Sequence, residues 1–145
     1  MEMNFLNNVE INLVFSGKDF DLKEFTKEIG ISPSEVRQSK DWPEVIRHNV
    51  SLPESLHAHC EWCISEQEAG CKTLEGPIKN LILKIAGKEE KIKELCKKNN
   101  VEKSLIIVIF GNPMYLPEMV ISSELVSYFG ELEVEIGFDL YVYDN

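Results

Sequence analysis

The end of the chain alternates apolar and polar side chains with a period of two. Over residues 133–145, one set of alternate positions is apolar: Val134, Ile136, Phe138, Leu140 and Val142. The other set carries Glu133, Glu135, Asp139, Tyr141 and Tyr143. Because successive side chains of a strand point to opposite faces, this pattern predicts a strand with one buried face and one wet face. Sheets covered on a single side are usually antiparallel.

Other stretches also have strand character. Residues 9–15 alternate in the same way, and residues 56–65 predict a strand that sends Cys60, Trp62 and Ile64, with Ala58, into the core. Residues 105–110 are continuously apolar and rich in β-branched side chains, which predicts a central strand covered on most of its surface. Residues 34–38 and residues 45–50 give weaker strand signals, because prolines interrupt this part of the chain.

Helical periodicity separates these strands. Asp21 with Glu24 three residues later is a helix start signal, and Gly30 is a typical helix end. Later stretches place apolar residues at helical spacing, with a break predicted at Gly87. These are residues 73–86, 88–99 and 122–130.

The order of these elements predicts the fold class. Strands and helices in this succession favour an α+β fold, with a mainly antiparallel sheet and helices packed on one face. The 145 residues fit a single domain, residues 1–145, large enough to bury a core without disulfides or a structural metal.

The charge balance restricts the partners. Fifteen basic against twenty-five acidic residues give a net charge of −10, which disfavours direct binding to nucleic acid. The same charge favours a basic partner, although it equally serves solubility. Residues 1–8 lack the features of a signal peptide, and no apolar stretch is long enough for a membrane span. We therefore expect a cytoplasmic protein with four reduced cysteines and no membrane association.

Candidate metal ligands occur in one place, at His57, His59, Cys60 and Cys63. On a strand, Cys60 and Cys63 would point to opposite faces, and no second Cys-x-x-Cys pair completes a zinc site. Scattered surface histidines and a buried cysteine explain these residues more simply, so we expect no cofactor. A small metal-binding protein or enzyme centred on His57, His59 and Cys63 remains the alternative.

The sequence offers few other signs of catalysis. It contains no Gly-x-Ser-x-Gly nucleophile turn and neither of the two common phosphate-binding glycine loops. The Cys-x-x-Cys lies in a strand-like run instead of the helix start that redox chemistry requires. These observations favour a binding protein over an enzyme.

Acidic and aromatic residues of the strands are the candidate binding residues. A solvated sheet face is the simpler interpretation of such carboxylates, and recognition of a basic protein is the functional one. The predicted partner-binding residues are Glu10, Glu61, Glu133, Glu135, Asp139, Tyr141 and Tyr143.

Several short motifs resemble a known family. They are Phe15-Ser-Gly-Lys-Asp-Phe-Asp-Leu22, Phe25-Thr26, Ile29-Gly-Ile-Ser-Pro33, Trp62, Leu125 with Phe129, and residues 136–141 with Asp139. In this combination the chain resembles the bacterial family catalogued as domain of unknown function 4279, whose members show Gly-x-Asp-Phe-Asp before a helix ending in Leu-Gly-Ile-x-Pro. Residues 38–56 depart from that pattern.

The resemblance implies an α+β fold and supplies no catalytic residue. Some proteins of this kind resemble immunity proteins encoded beside secreted bacterial toxins. The leading hypothesis is therefore a non-catalytic cytoplasmic protein, monomeric or homodimeric, that neutralises a basic toxin domain through its acidic and aromatic sheet face.

Overall fold

A computed structural model describes residues 6–47, 51–53 and 57–143. The strands are β1 (Asn7–Gly17), β2 (Glu35–Arg37), β3 (Cys60–Ala69), β4 (Glu102–Gly111) and β5 (Glu135–Val142). The helices are α1 (Leu22–Ile29), α2 (Glu44–Arg47), α3 (Glu75–Ile85), α4 (Glu89–Asn99) and α5 (Ser123–Glu131). Within this part of the chain, no helix combines the length and the apolar character needed to cross a bilayer.

The strands form one five-stranded sheet in the order β2-β3-β1-β4-β5. β1 pairs antiparallel with β3 and β4, and β2 pairs antiparallel with β3, whereas β4 and β5 run parallel. The α+β fold with a mostly antiparallel sheet is therefore confirmed. β5 is parallel because α5 returns the chain to the end of the sheet at which β4 begins.

The core lies between the helices and one face of the sheet. Along β1, residues alternate between buried and partly exposed, as the sequence predicts for residues 9–15. Trp62 of β3 is fully buried, with its ring centroid 5.3 Å from those of Phe15 and Phe25. The indole N–H also donates a hydrogen bond to the Thr26 hydroxyl at 2.8 Å. This aromatic cluster fastens α1 to the sheet.

The helix boundaries follow local signals. Asp21 accepts a hydrogen bond from the Glu24 backbone N–H at 3.0 Å, and Gly30 ends α1 with a left-handed φ of 77°. Gly87, with a φ of 86°, separates α3 from α4, and Ser122 caps α5. The predicted helices over residues 73–86, 88–99 and 122–130 are confirmed apart from one or two residues at their ends.

The last strand departs from its prediction. Val134 is buried, but Phe138, Leu140 and Val142 are 49%, 49% and 46% exposed, so the expected burial of this apolar set is wrong beyond Ile136. The reason is the position of β5 in the sheet. It is an edge strand, so among the described residues its side chains have neighbours on β4 but none on the outer side. The final residues of the predicted strand, 144 and 145, lie outside the described residues.

Two other predictions also need correction. β4 is an interior strand, but it is covered on one face only, because Ile106 and Val108 alternate with its buried residues and remain partly exposed. Residues 44–47 form helix α2 instead of a strand, since the Pro43 carbonyl accepts the N–H groups of Ile46 and Arg47. The rest of that predicted strand, residues 48–50, lies outside the described residues, as does residue 56 at the start of the predicted strand 56–65.

Candidate functional site

The side of the sheet opposite the helices is the candidate site, and we call it the open face. The strand registers place its residues in rows that cross the sheet. One row runs Gln67, Glu10, Val108, Asp139, and the next runs Ser65, Asn12, Ile106, Gly137. A third row runs Glu35, Cys63, Val14, Ser104, Glu135. Each of these residues is at least partly exposed, so none of the described helices covers this face.

A concavity of about 250 Å³ lies at the centre of the open face, and we call it the acidic concavity. Four carboxylate side chains line it: Glu10, Glu35, Glu61 and Asp139. They come from four different strands, β1, β2, β3 and β5. Between them, Val14, Ile106 and Val108 provide apolar surface. The sheet thus gathers four carboxylates around an apolar floor, and one cationic side chain, Arg37 of β2, also lines the concavity.

A hydrogen-bonded chain connects Asn12 and Cys63, two further lining residues, through Ser65. The Ser65 hydroxyl donates to Asn12 Oδ1 at 2.6 Å, and Cys63 Sγ lies 3.5 Å from the Ser65 hydroxyl oxygen. Burial raises the pKa of the Cys63 thiol, and the negative charges of Glu35, Glu10 and Glu61 raise it further, although the Ser65 hydrogen bond lowers it. The thiol therefore stays protonated near neutral pH, where it is a poor nucleophile.

An aromatic stack adjoins the concavity at Arg37, which is one of its lining residues. The Arg37 guanidinium lies 4.2 Å from the centre of the Trp42 ring, and the Trp42 ring lies 4.8 Å from that of His59. The Trp42 indole N–H donates to the His59 carbonyl at 2.8 Å. These contacts fix the short strand β2, and hence Glu35, against β3.

A second aromatic pair stands near the opposite edge of the open face. Phe110 of β4 and Tyr141 of β5 are neighbours in register and stack with centroids 4.9 Å apart and planes 14° apart. Tyr141 is 52% exposed and Phe110 36% exposed. Exposed, mutually rigid aromatic rings are typical anchors of protein interfaces.

The predicted binding residues are only partly brought together. Glu10, Glu61 and Asp139 line the acidic concavity, and Tyr141 belongs to the aromatic pair beside it. Glu135 lies on the open face outside the concavity, two rows from Asp139. The remaining two residues, Glu133 and Tyr143, lie beyond the ends of β5.

The position of Glu133 corrects its predicted place on the strand face. It lies in the turn between α5 and β5, with a left-handed φ of 59° and its N–H donating to the Gly130 carbonyl. The alternation of the final strand therefore begins two residues later than the sequence pattern suggests.

Sequence reasoning missed Glu35 and the floor of the concavity. The only signal was the weak strand at residues 34–38, which corresponds to β2 and places Glu35 opposite Cys63. Pairing of a three-residue strand is not encoded in any local pattern, so the fourth carboxylate became visible only in the folded chain.

The structure does not assemble the alternative metal site. His57 and His59 precede β3, where His57 Nε2 lies 2.7 Å from the Leu52 carbonyl oxygen and His59 Nε2 lies 2.8 Å from Glu61 Oε2. Cys60 is buried on the helix side, whereas Cys63 is on the open face. In residues 6–47, 51–53 and 57–143, no three His, Cys, Asp or Glu side chains converge as a metal site.

Comparison with known proteins identifies the family without identifying an activity. No curated protein and no solved structure matches the chain. The model of the family described as domain of unknown function (DUF4279) matches residues 7–143. That match spans all five strands and all five helices, including the acidic concavity, and the chain therefore belongs to the DUF4279 family.

Proposed function

We propose that this protein is a non-catalytic cytoplasmic binding protein whose open face docks a basic protein partner. In its most concrete form, the proposal is an immunity protein that neutralises a basic bacterial toxin domain. The observation that carries it is the acidic concavity, in which four carboxylates from four strands surround an uncovered apolar floor.

Three of the four carboxylates of the concavity are available to a partner. Among the described residues, no cationic side chain forms an ion pair with Glu10, Glu35 or Asp139, whereas Glu61 Oε2 lies 2.8 Å from His59 Nε2. Like charges gathered on one face repel one another, and a cationic partner removes that repulsion when it binds. The net charge of −10 also raises the encounter rate with such a partner.

The shape of the concavity suits an arginine or lysine side chain. The apolar stem of such a side chain would lie on Val14, Ile106 and Val108, and its cationic end would meet the surrounding carboxylates. The stacked rings of Phe110 and Tyr141 would contact an apolar or aromatic group of the same partner. Charge and aromatic anchors on one face are the combination that fast, specific protein association uses.

The proposal is tested by capturing partners with matched charge variants. The open-face variant carries Glu10→Gln, Glu35→Gln and Asp139→Asn. The control variant carries Glu94→Gln, Glu124→Gln and Asp19→Asn, which removes the same charge from exposed positions outside the concavity. The chain is immobilised in each form and exposed to lysate of a bacterium that encodes it, and retained proteins are identified by mass spectrometry.

We expect a basic protein that the wild type and the control variant retain and the open-face variant loses. Carbodiimide, which joins carboxylates to amines, should link its lysines to Glu10, Glu35 or Asp139. With the purified partner, the open-face variant should associate at least about tenfold more slowly at low salt, with a weaker salt dependence. Equal retention by both variants, or cross-links confined to the helix side, would overturn the proposal.

A further inference from the structure

The outer edge of β5 is an unpaired strand edge in the described part of the chain. β5 ends the sheet, with β4 on its inner side only. The Tyr143 N–H donates to the Gly111 carbonyl of β4, so the odd-numbered backbone groups of this segment point inward. Because the direction alternates along a strand, the N–H and C=O groups of Ile136, Phe138, Leu140 and Val142 point outward.

This edge lacks most of the usual protection against strand pairing. The opposite edge, β2, is only three residues long and carries Glu35 and Arg37. β5 has eight residues, contains no lysine, arginine or proline, and carries its charge only at Glu135 and Asp139. Long edge strands of this composition pair readily with a further strand.

The helix-side surface of β5 is incompletely covered. Phe138 and Leu140 stand beside the fully buried Ile107 and Ile109 of β4, yet each is about half exposed. Val142 continues the same exposed row. The apolar layer of the core thus runs past β4 to the edge of the sheet without a cover there, and such contiguous apolar surface commonly marks an interface.

Gly137 is a second sign of an approaching chain. Glycine weakens the interior of a strand and often marks a place where another backbone comes close. Nothing in the described part of the chain requires it: its φ is not positive, and an added Cβ would meet only Ile106 Cδ1 there, at 3.4 Å, an ordinary contact distance.

We propose that two copies of this chain associate through β5, antiparallel, with Phe138 opposite Phe138 of the second copy. A twofold axis through this point pairs nearly the whole strand. It sets Ile136 against Leu140, Gly137 against Asp139, and Glu135 against Tyr141, so no two carboxylates face each other. The glycine leaves room for the Asp139 carboxylate of the other copy. Centring the axis on Asp139 would instead oppose two like charges.

The exposed apolar area favours a second copy as the occupant. The half-exposed Phe138 offers about 100 Å² of apolar surface. Leu140 and Val142 add roughly 150 Å² together, which gives about 250 Å² per copy on the helix side of β5. A standard-size interface buries about 800 Å² per partner, of which about 450 Å² is apolar. The edge strand alone therefore provides about half of that apolar area, and the rest of the buried area comes from backbone and flanking groups.

The dimer would continue the sheet from five strands to ten. An axis perpendicular to the sheet keeps both open faces on the same side, so the dimer would present two acidic concavities in one direction. Phe138 faces the helix side, away from the concavity, and this proposal therefore does not rest on the proposed function.

Molar mass measured by light scattering, over a wide range of micromolar concentrations, tests the association. We expect the wild type to have twice the 16.6 kDa mass of one chain. The variant Phe138→Lys, which brings two cations together at the axis, should have the mass of one chain, and the control Leu83→Lys, at an exposed position on α3, should remain dimeric. Wild type of 16.6 kDa throughout this range would overturn the proposal.

Cysteine cross-linking tests the register without relying on the fold of Phe138→Lys. In a Cys63→Ser background, the variant Phe138→Cys places two thiols on residues whose Cα atoms are about 5.5 Å apart, within disulfide range. The variant Val142→Cys, at a similarly exposed position, separates them by roughly 26 Å. Mild oxidation, in which the oxidant takes two electrons and two protons from each thiol pair, should cross-link only the first variant. Equal cross-linking of both would overturn this register.

Discussion

Asn7 joins three parts of the chain through one buried side chain. Its Nδ2 donates to the carbonyls of Cys71 and Tyr115, both at 2.7 Å, and its Oδ1 accepts the Cys71 N–H at 2.8 Å. Asn7 is 5% exposed, and its two bonds to the Cys71 backbone are buried, whereas its bond to the Tyr115 carbonyl is partly buried. One residue at the start of β1 therefore holds the segments that follow β3 and β4.

Replacing Asn7 should be among the costly changes to this protein. We expect Asn7→Ala to lower the free energy of unfolding by about 2–4 kcal/mol, because it leaves two buried backbone groups of Cys71 and the partly buried carbonyl of Tyr115 without this partner. The neighbouring Asn8→Ala, at a partly exposed position on the open face, should cost about 0.5 kcal/mol or less. Urea denaturation measures both, and similar losses for the two variants would contradict this account of Asn7.

The reactivity of the Cys63 thiol depends on the negative charges of the acidic concavity. It is the partly exposed one of the four cysteines, and the nearby Glu35 helps to raise the pKa of its thiol. Glu35→Gln should therefore increase the thiolate fraction and speed alkylation of Cys63 by iodoacetamide at pH 8 by about twofold. Mass spectrometry identifies the modified cysteine. Glu75→Gln on α3 is the control, and an unchanged rate in Glu35→Gln would show that the two side chains do not interact.

At the scale of elements, the sequence predicts what is local. The Asp21 cap and the Gly30 terminus of α1 depend on atoms a few residues apart, and both are confirmed. The period-two pattern also predicts β5 as a strand. The pattern indicates which side chains of β5 share a face, but it does not indicate whether anything covers that face. The exposure of Phe138 and Leu140 could therefore not be predicted from it.

The acidic concavity shows the same limit. The sequence predicts Glu10, Glu61 and Asp139 as binding residues because each lies at a polar strand position. Their convergence with Glu35 depends on the order β2-β3-β1-β4-β5 and on pairing between residues far apart in sequence. No single-strand pattern contains that register.

A side-chain hydrogen bond connects α4 and α5. The Tyr128 hydroxyl donates to Glu89 Oε2 at 2.7 Å, and the Gly87 N–H donates to Glu89 Oε1 at 2.9 Å. The bond from Tyr128 lowers the pKa of the Glu89 carboxyl below its ordinary value of 4.5, while burial and the same bond raise the pKa of Tyr128. Both shifts favour the pair of a charged carboxylate and a neutral hydroxyl.

The contribution of this bond should depend on pH. Because the pKa of Glu89 is lowered in the folded state, its stabilisation is complete above the unfolded value and is lost as the pH falls through the folded value. Tyr128→Phe should therefore lower the free energy of unfolding by about 0.5–1 kcal/mol at pH 7. The difference from wild type should shrink below pH 4.5. A difference that is constant with pH in urea titrations would rule out the charged hydrogen bond.

For the molecule as a whole, the effect of the acidic concavity on stability shows whether its carboxylates form a binding surface or only a solvated one. Carboxylates that serve a partner repel one another in the free protein, so the combined variant with Glu10→Gln, Glu35→Gln and Asp139→Asn should be about 0.5–1 kcal/mol more stable than wild type at low salt. The gain should decrease as added salt screens the wild type, because the repelling charges lie on the surface.

The matched control distinguishes repulsion within the concavity from general repulsion by the net charge. The variant with Glu94→Gln, Glu124→Gln and Asp19→Asn removes as many negative charges as the open-face variant does, but it leaves the concavity intact. If general repulsion from the charge of −10 were responsible, both variants would gain the same stability in thermal or urea denaturation. A gain confined to the open-face variant means that the fold keeps unfavourable charge at one place, which selection for stability alone does not explain. A loss of stability there would instead assign these carboxylates a structural role.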